Sequence, residues 1–407
     1  MAVAELTGRR TRGWHRLPAA ARIAIVYLTA RAATTALFVA AAQLSAAASR
    51  FGAHPSVGRL LMGWDAQWYW YIAVHGYPTS VPLDASGQVT QNQWAFMPVY
   101  PYLARLLGGA GAGWQPAAVL ISVVAGYLAC LVLYALLRPR IGAIAGTWAI
   151  VFFANAPLAA LFQVGYAEAL FLLLLFTGLW LVFTRRYGWL YPVLLLVAFT
   201  RPGALAFALF LGLHAIVRWV RRRQERLRPL EVVHIVANGL LGAAAGLAWP
   251  VIAAVVTGRS DAYLATELSW HRGWLAHDEQ SFTPFRGFWD AAGFWFGQWG
   301  LGAAAGAVAL VALVVAAAAM LLFGPRVRRL GADIRLWSAS YLLYLFAVFF
   351  PQSSVFRLLV PLSPLWGAAA VPRSRVWRLA VLAACLLGQW WWIYNMYALG
   401  NTFWQIP

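Results

Sequence analysis

The sequence predicts an all-α polytopic membrane protein, and three observations carry that prediction. Hydrophobic residues make up 62% of the 407 and charged residues only 11%, with a mean hydropathy of +0.68, whereas a soluble domain carries roughly a quarter charged residues. Runs of about 20 apolar residues, each long enough to span a bilayer, recur from end to end. The polar stretches between them reach only a few tens of residues, too short for a soluble fold. A single integral membrane domain over 1–407 is therefore expected.

The apolar runs place about eleven membrane segments: 22–46, 115–137, 141–160, 165–184, 188–200, 203–217, 231–256, 301–323, 336–350, 358–371 and 379–399. The first lacks a clear cleavage site and exceeds the core of a signal peptide, so it reads as a retained helix. Pro202 and Gly203 in Thr200-Arg201-Pro202-Gly203 separate two short helices, and Phe350-Pro351 breaks the run from 336 to 371 in the same way. Cys130 and Cys385 lie singly inside apolar runs, so no disulfide framework or cysteine metal motif can be built.

The net charge of +19 comes from 31 basic residues, all arginine. They sit in short clusters between apolar runs rather than in one patch, which is the pattern of membrane topology and not of nucleic-acid binding. Wealth in Ala, Gly and Arg is that of a GC-rich bacterial genome of actinobacterial type. With a cytoplasmic N-terminus, 22 arginines fall inside and eight (Arg50, Arg59, Arg105, Arg201, Arg259, Arg272, Arg286 and Arg357) fall outside, with Arg31 inside the first helix. The rule that inner loops are positive then sets the orientation. It leaves two long aromatic-rich loops outside, at about 47–114 and 257–300, the first carrying short interfacial helices. Chemistry is expected there, since sites gather on loops, at the outer face of a plasma membrane.

Few acids are available for that chemistry: twelve in the whole chain. Asp65 stands in Gly63-Trp64-Asp65-Ala66-Gln67-Trp68-Tyr69-Trp70, among aromatics that would dock the segment at lipid headgroups. It reads as a general base or a carboxylate that orients a sugar hydroxyl, and alternatively as a cap for the following helix or a partner of Arg59. Gln93 to Tyr102, with Pro98 and Pro101 flanked by aromatics, suits an interfacial segment entering a short helix. Glu168 falls in the first turn of the fourth segment, where an acid is either functional or favoured by the helix dipole. Arg201 and Arg357 border helix-breaking prolines, and arginine suits fork-like contacts with phosphate; snorkelling to headgroups or pairing with Glu168 are the alternatives. The second loop holds Asp261, Glu267, His271, Arg272, His277, Asp278, Glu279, Arg286 and Asp290. Their spacing matches no metal motif, so the loop is expected to bind an acceptor or act as a lid, most of its side chains forming a solvated surface. No phosphate loop, dinucleotide fingerprint or nucleophile elbow occurs.

Trp64-Asp65 with Trp68-Tyr69, then Ile72-Ala73 and Gly76-Tyr77, then Phe96-Met97-Pro98-Val99-Tyr100-Pro101, resembles the first outer loop of PIG-V-type mannosyltransferases of the GT-C class. Gly165-Tyr166-Ala167-Glu168, Thr200-Arg201-Pro202 and, more loosely, Phe356-Arg357-Leu358 extend the resemblance over most of the chain. It implies a GT-C-like fold, a polyprenyl-phosphate-linked mannose donor and transfer on the outer face. It also places Asp65, Glu168 and Arg201 at the family's first-loop aspartate, Tyr-x-Glu acid and Thr-Arg-Pro arginine.

The expected reaction moves a mannosyl residue to an acceptor hydroxyl with inversion. Asp65 serves as general base and Arg201 or Arg357 holds the donor phosphate. Glu168, Trp64, Gln67, Tyr69, His75 and Tyr100 are expected to bind substrate with them. The acceptor is left open among a glycolipid, a glycan and a protein. No nucleotide or other cofactor is called for; a divalent cation beside the phosphate is compatible with the chemistry, but no spacing points to one. The competing reading is a transporter or flippase of a lipid-linked substrate, whose site would lie near the midplane in broken helices.

Overall fold

A computed structural model describes residues 17–270 and 282–407. His271, Arg272, His277, Asp278 and Glu279 of the second loop lie outside the described residues, as do Arg9, Arg10, Arg12 and Arg16. Among the described residues every regular element is a helix, and the one β feature is an isolated antiparallel bridge between Leu83 and Val89. In lipid, only backbone that satisfies its own hydrogen bonds can cross, and helices do so.

The chain is a multi-pass membrane protein. Five described helices are long and apolar enough to cross a bilayer: Ala19–Leu44, Trp114–Ala154, Pro229–Thr257, Gly302–Phe323 and Arg375–Leu399. Trp114–Ala154 has 41 residues but is bent at Gly142, whose φ of 80° takes it out of the helical region. It is thus two helices, and the turn expected at Arg138–Arg140 falls just after them. The expected spans at 165–184, 188–200 and 203–217 correspond to shorter apolar helices, Glu168–Phe183, Tyr187–Ala198 and Ala204–Val220. Phe199 to Gly203 separates the last two, and Ala332–Val348 stops before Phe350-Pro351. The expected span 358–371 is built from two pieces, Val360–Leu365 and Trp366–Ala370.

The core gathers around the two halves of Trp114–Ala154, with Ala19–Leu44, Glu168–Phe183 and Trp366–Ala370 packed on them, and it continues into Ala204–Val220 and Ala332–Val348, which pack on each other. Arg31 is buried in it. Its guanidinium donates to the carbonyls of Ala154 at 2.5 Å and Ala159 at 2.6 Å, groups that a helix end leaves without intrahelical partners. Gly302–Phe323, by contrast, is mostly lipid-facing, with 17% of its apolar window buried.

The loops expected to carry function are also helical. The first holds Val57–Leu61, Asp65–His75 and Val99–Gly108, and the second holds Ala262–Ser269 and Gly287–Gln298. Polar residues segregate to the two ends of Glu168–Phe183. Past its C-terminal end, Arg218 bonds to Glu225 and Glu231 at 3.0 Å each, and His214 lies between Tyr187 at 3.0 Å and Asp333 at 3.1 Å. Its N-terminal end opens on the site described next.

Candidate active site

Asp65 is aimed by an unusual turn. Gly63 lies so close to Phe51 that a Cβ there would sit 2.5 Å from the ring. Trp64 then takes φ 56°, ψ −124°, a conformation that a side-chain-bearing residue keeps only when its surroundings hold it. Here its indole N–H donates to the Met396 carbonyl at 2.9 Å, its ring meets Phe51 edge-on at 5.8 Å, and the Arg50 guanidinium stacks over it at 5.0 Å. Asp65 is the first residue of the helix that follows. Its carboxylate bonds neither to a backbone amide nor to Arg59 but to Arg357, with Oδ2 2.6 Å from Nη2.

Arg357 lies on the short helix Val355–Leu358, after the Phe350-Pro351 break. It donates through Nε to Glu168 Oε1 at 2.7 Å and through Nη1 to the Pro407 carbonyl at 2.9 Å. Arg201, in the Thr200-Arg201-Pro202-Gly203 break, reaches the same Glu168 oxygen at 2.9 Å. The Tyr166 ring lies 4.8 Å from the Arg357 guanidinium carbon. Two carboxylates and two guanidiniums therefore form one neutral cluster, in which Glu168 and Arg357 are buried while Arg201 and Asp65 keep 17% and 21% of their side chains exposed. The alternative of an arginine paired with Glu168 holds for both arginines, and both line the cavity described next. Glu168 Oε2 has no hydrogen-bond partner among the described residues.

The donor set does not fit a divalent cation. The guanidinium of Arg357 lies between Asp65 and Glu168, and its positive charge opposes a cation held by that pair. No group of three or more Asp, Glu, His or Cys side chains able to hold an ion occurs among the described residues.

Asp65, Arg201 and Arg357 line a cavity of about 1410 Å³, above the usual range of small-ligand sites of roughly 300–1,000 Å³ and large enough for two reactants at once. Apolar wall comes from Leu205, Leu247 and Phe294, and aromatic wall from Trp68, Phe96 and Trp270. Trp64, Gln67 and Tyr69 also line it. His75 and Tyr100 are not brought to it. The His75 ring packs on Tyr71 at 4.4 Å, and Tyr100 stands behind Tyr69, its hydroxyl donating to the Ala118 carbonyl at 2.8 Å. Tyr69 separates Tyr100 from the cavity, so any influence of Tyr100 passes through that ring.

Glu267, on Ala262–Ser269, is a further acid in the cavity wall. Local sequence alone groups it with the solvated side chains of the second loop. Burial pushes its pKa up to about 7, against the opposing pull of a hydrogen bond from Tyr263 and the charge of Arg201. The missed signal was local: Glu267 precedes Trp270 by three residues, as Asp65 precedes Trp68.

No protein-family description matches the chain, and no curated protein is similar to it. Among solved structures it is similar to ArnT from Cupriavidus metallidurans bound to undecaprenyl phosphate, at 15% identity over 89% of this chain and 62% of that one, with a TM-score of 0.45. It is also similar to the Archaeoglobus fulgidus oligosaccharyltransferase in complex with Zn and sulfate, at 14% identity over 91% of this chain and 52% of that one, with a TM-score of 0.41. The chain thus spans less than two thirds of the length of either protein.

Proposed function

We propose that the chain is a GT-C-like membrane glycosyltransferase that moves a sugar from a polyprenyl-phosphate-linked donor to an acceptor hydroxyl. The observation that carries this reading is the Asp65–Arg357–Glu168–Arg201 cluster set in the wall of a cavity that is also lined by aliphatic and aromatic side chains. A lipid-linked donor needs both a guanidinium surface for its phosphate and apolar wall for its chain. The mannosyl, PIG-V-type assignment rests on the first-loop pattern. The outer plasma-membrane face rests on the arginine asymmetry.

In this reading the donor phosphate lies against the exposed edge of Arg201, beside Arg357 in the cavity wall. The acceptor oxygen attacks the anomeric carbon from the side opposite the phosphate, the bond from that carbon to the phosphate oxygen breaks, and the configuration inverts. Asp65 Oδ1 accepts the hydroxyl proton, and the guanidiniums stabilise charge growing on the lipid phosphate. A flippase is disfavoured, because the acids and aromatics gather in the first and second loops, whereas transport sites lie near the midplane.

The test is sugar transfer by protein in lipid nanodiscs, supplied with polyprenyl-phosphate-mannose and a membrane-lipid extract. Losing a positioned base costs about 10²–10⁴-fold in rate. Asp65→Asn should lose that much turnover while remaining folded, since Arg357 keeps its bonds to Glu168 and Pro407. Turnover within tenfold of wild type would remove Asp65 from the base's role.

A further inference from the structure

Two acid–tryptophan pairs meet in the cavity. Asp65 and Trp68 lie on Asp65–His75, and Glu267 and Trp270 lie on and just past Ala262–Ser269. A spacing of three residues puts both members of each pair on one face of their helix. The two indoles touch edge to face, with ring centroids 5.6 Å apart, and Phe96 backs both at 5.9 Å. All four residues line the cavity.

An acid beside an indole suits one ligand chemistry in particular. A carboxylate accepts hydrogen bonds from hydroxyls, and an indole offers a flat apolar face. A pyranose carries hydroxyls on its rim and C–H groups on its face, so it meets both. A serine or threonine side chain offers one hydroxyl and no ring. Asp65 and Glu168 are engaged by guanidiniums, whereas no guanidinium hydrogen-bonds to Glu267 among the described residues. Its carboxylate therefore has accepting capacity left for a ligand.

We infer that Glu267 and Trp270 form an acceptor subsite facing Asp65, and that the acceptor is a carbohydrate. The inference rests on the glycosyl-transfer reading and deepens it. Asp65 takes the hydroxyl that reacts, while Glu267 holds neighbouring hydroxyls of the same sugar and Trp270 stacks on a ring face. Four groups bear on Glu267: Tyr263 on its own helix, Arg201 from the Thr200–Gly203 break, Asp65 opposite, and Tyr344 on Ala332–Val348. The Glu267 carboxylate is raised to about 7, so acceptor KM should fall as pH rises through that value.

The experiment supplies wild type, Glu267→Gln and Trp270→Ala with the polyprenyl-phosphate donor and either a methyl disaccharide or a serine peptide. Binding of the disaccharide is measured separately by calorimetry. Wild type should glycosylate the disaccharide and not the peptide. Glu267→Gln should raise acceptor KM by about tenfold or more, the loss expected for a hydrogen bond to a charged group, and Trp270→Ala should raise it by removing the flat apolar face, both with donor KM unchanged. The pH dependence of acceptor KM should disappear in Glu267→Gln. Unchanged acceptor KM in both variants, or transfer to the peptide, overturns the subsite while leaving the transferase reading intact. Saturable disaccharide binding that both variants lose, without transfer by wild type, overturns the transferase reading and keeps the saccharide site.

Discussion

Glu168→Gln is the sharpest probe of what holds the charged cluster together. Glu168 is fully buried and its Oε1 faces Arg357 Nε, Arg357 Nη2 and Arg201 Nη1 at 2.7, 2.5 and 2.9 Å. Glutamine keeps the shape and one accepting oxygen but removes the charge, leaving two guanidiniums against Asp65 alone. Breaking a buried ion pair by removing one partner costs about 3–5 kcal/mol. The lower end applies here, because Asp65 still balances one guanidinium and the new amide group would fall where Oε2 already lacks a partner. Thermal or denaturant unfolding of the purified protein in nanodiscs should therefore show a loss of about 3 kcal/mol. The double variant Glu168→Gln, Arg201→Gln should lose less than the sum of its parts, because the second change removes the stranded charge. A Glu168→Gln protein within about 1 kcal/mol of wild type, or strictly additive variants, would refute the view that this carboxylate neutralises both arginines.

Two further variants separate binding from folding. Arg201→Ala leaves Glu168 bonded to Arg357, so it should unfold more easily than wild type by less than Glu168→Gln does. Its donor KM should nevertheless rise by roughly 10- to 100-fold, as loss of a charged hydrogen bond implies; an unchanged donor KM would separate Arg201 from the phosphate. Glu267→Gln should change the response of stability to pH. The Glu267 pKa is raised from an ordinary 4.5 to about 7 in the fold, so the folded state holds a proton that the unfolded state releases. Its contribution to stability is present below about 4.5 and is lost as pH rises through about 7. Glu267→Gln cannot ionise, so it should melt higher than wild type at pH 8 and together with it near pH 5; equal melting at both would contradict the raised value.

Much of the site was legible because acids are scarce and costly in such a chain. Asp65 among tryptophans, Glu168 at a helix mouth, and Arg201 and Arg357 beside prolines each stood out alone. Their pairing was not legible. Arg357 joins partners 189 and 292 residues away, and nothing local says which arginine meets which acid. Local pattern also misplaced residues in both directions. His75 and Tyr100 belong to the aromatic first-loop motif, yet one packs on Tyr71 and the other behind Tyr69. Glu267 looked like any loop acid, because its burial comes from other segments folding over it. The bend at Gly142 rather than Arg138–Arg140 has a similar cause: the glycine adopts φ 80° where a larger residue would be strained, while arginines continue the helix.

The neutrality of the cluster bears on how transfer would be timed. With no substrate, Asp65 and Glu168 balance Arg201 and Arg357. A phosphodiester donor brings one negative charge, and cleavage leaves a phosphate with more. If Asp65 takes the acceptor proton, it loses its charge in that same step and its hold on Arg357 Nη2 weakens. The freed face of the guanidinium can then turn to the departing phosphate, anchored still by Nε on Glu168 and Nη1 on Pro407. Base and electrophile would act as one unit, which requires a side chain that can fork among three partners. Lysine keeps the charge but carries a compact ammonium without the planar fork. Arg357→Lys should therefore leave donor KM nearly unchanged and lower kcat by about 10²–10³-fold, the range for losing a donor aimed at developing charge. A rise in donor KM with kcat preserved would mean instead that Arg357 only binds the phosphate, and that protonation of Asp65 is not coupled to its release.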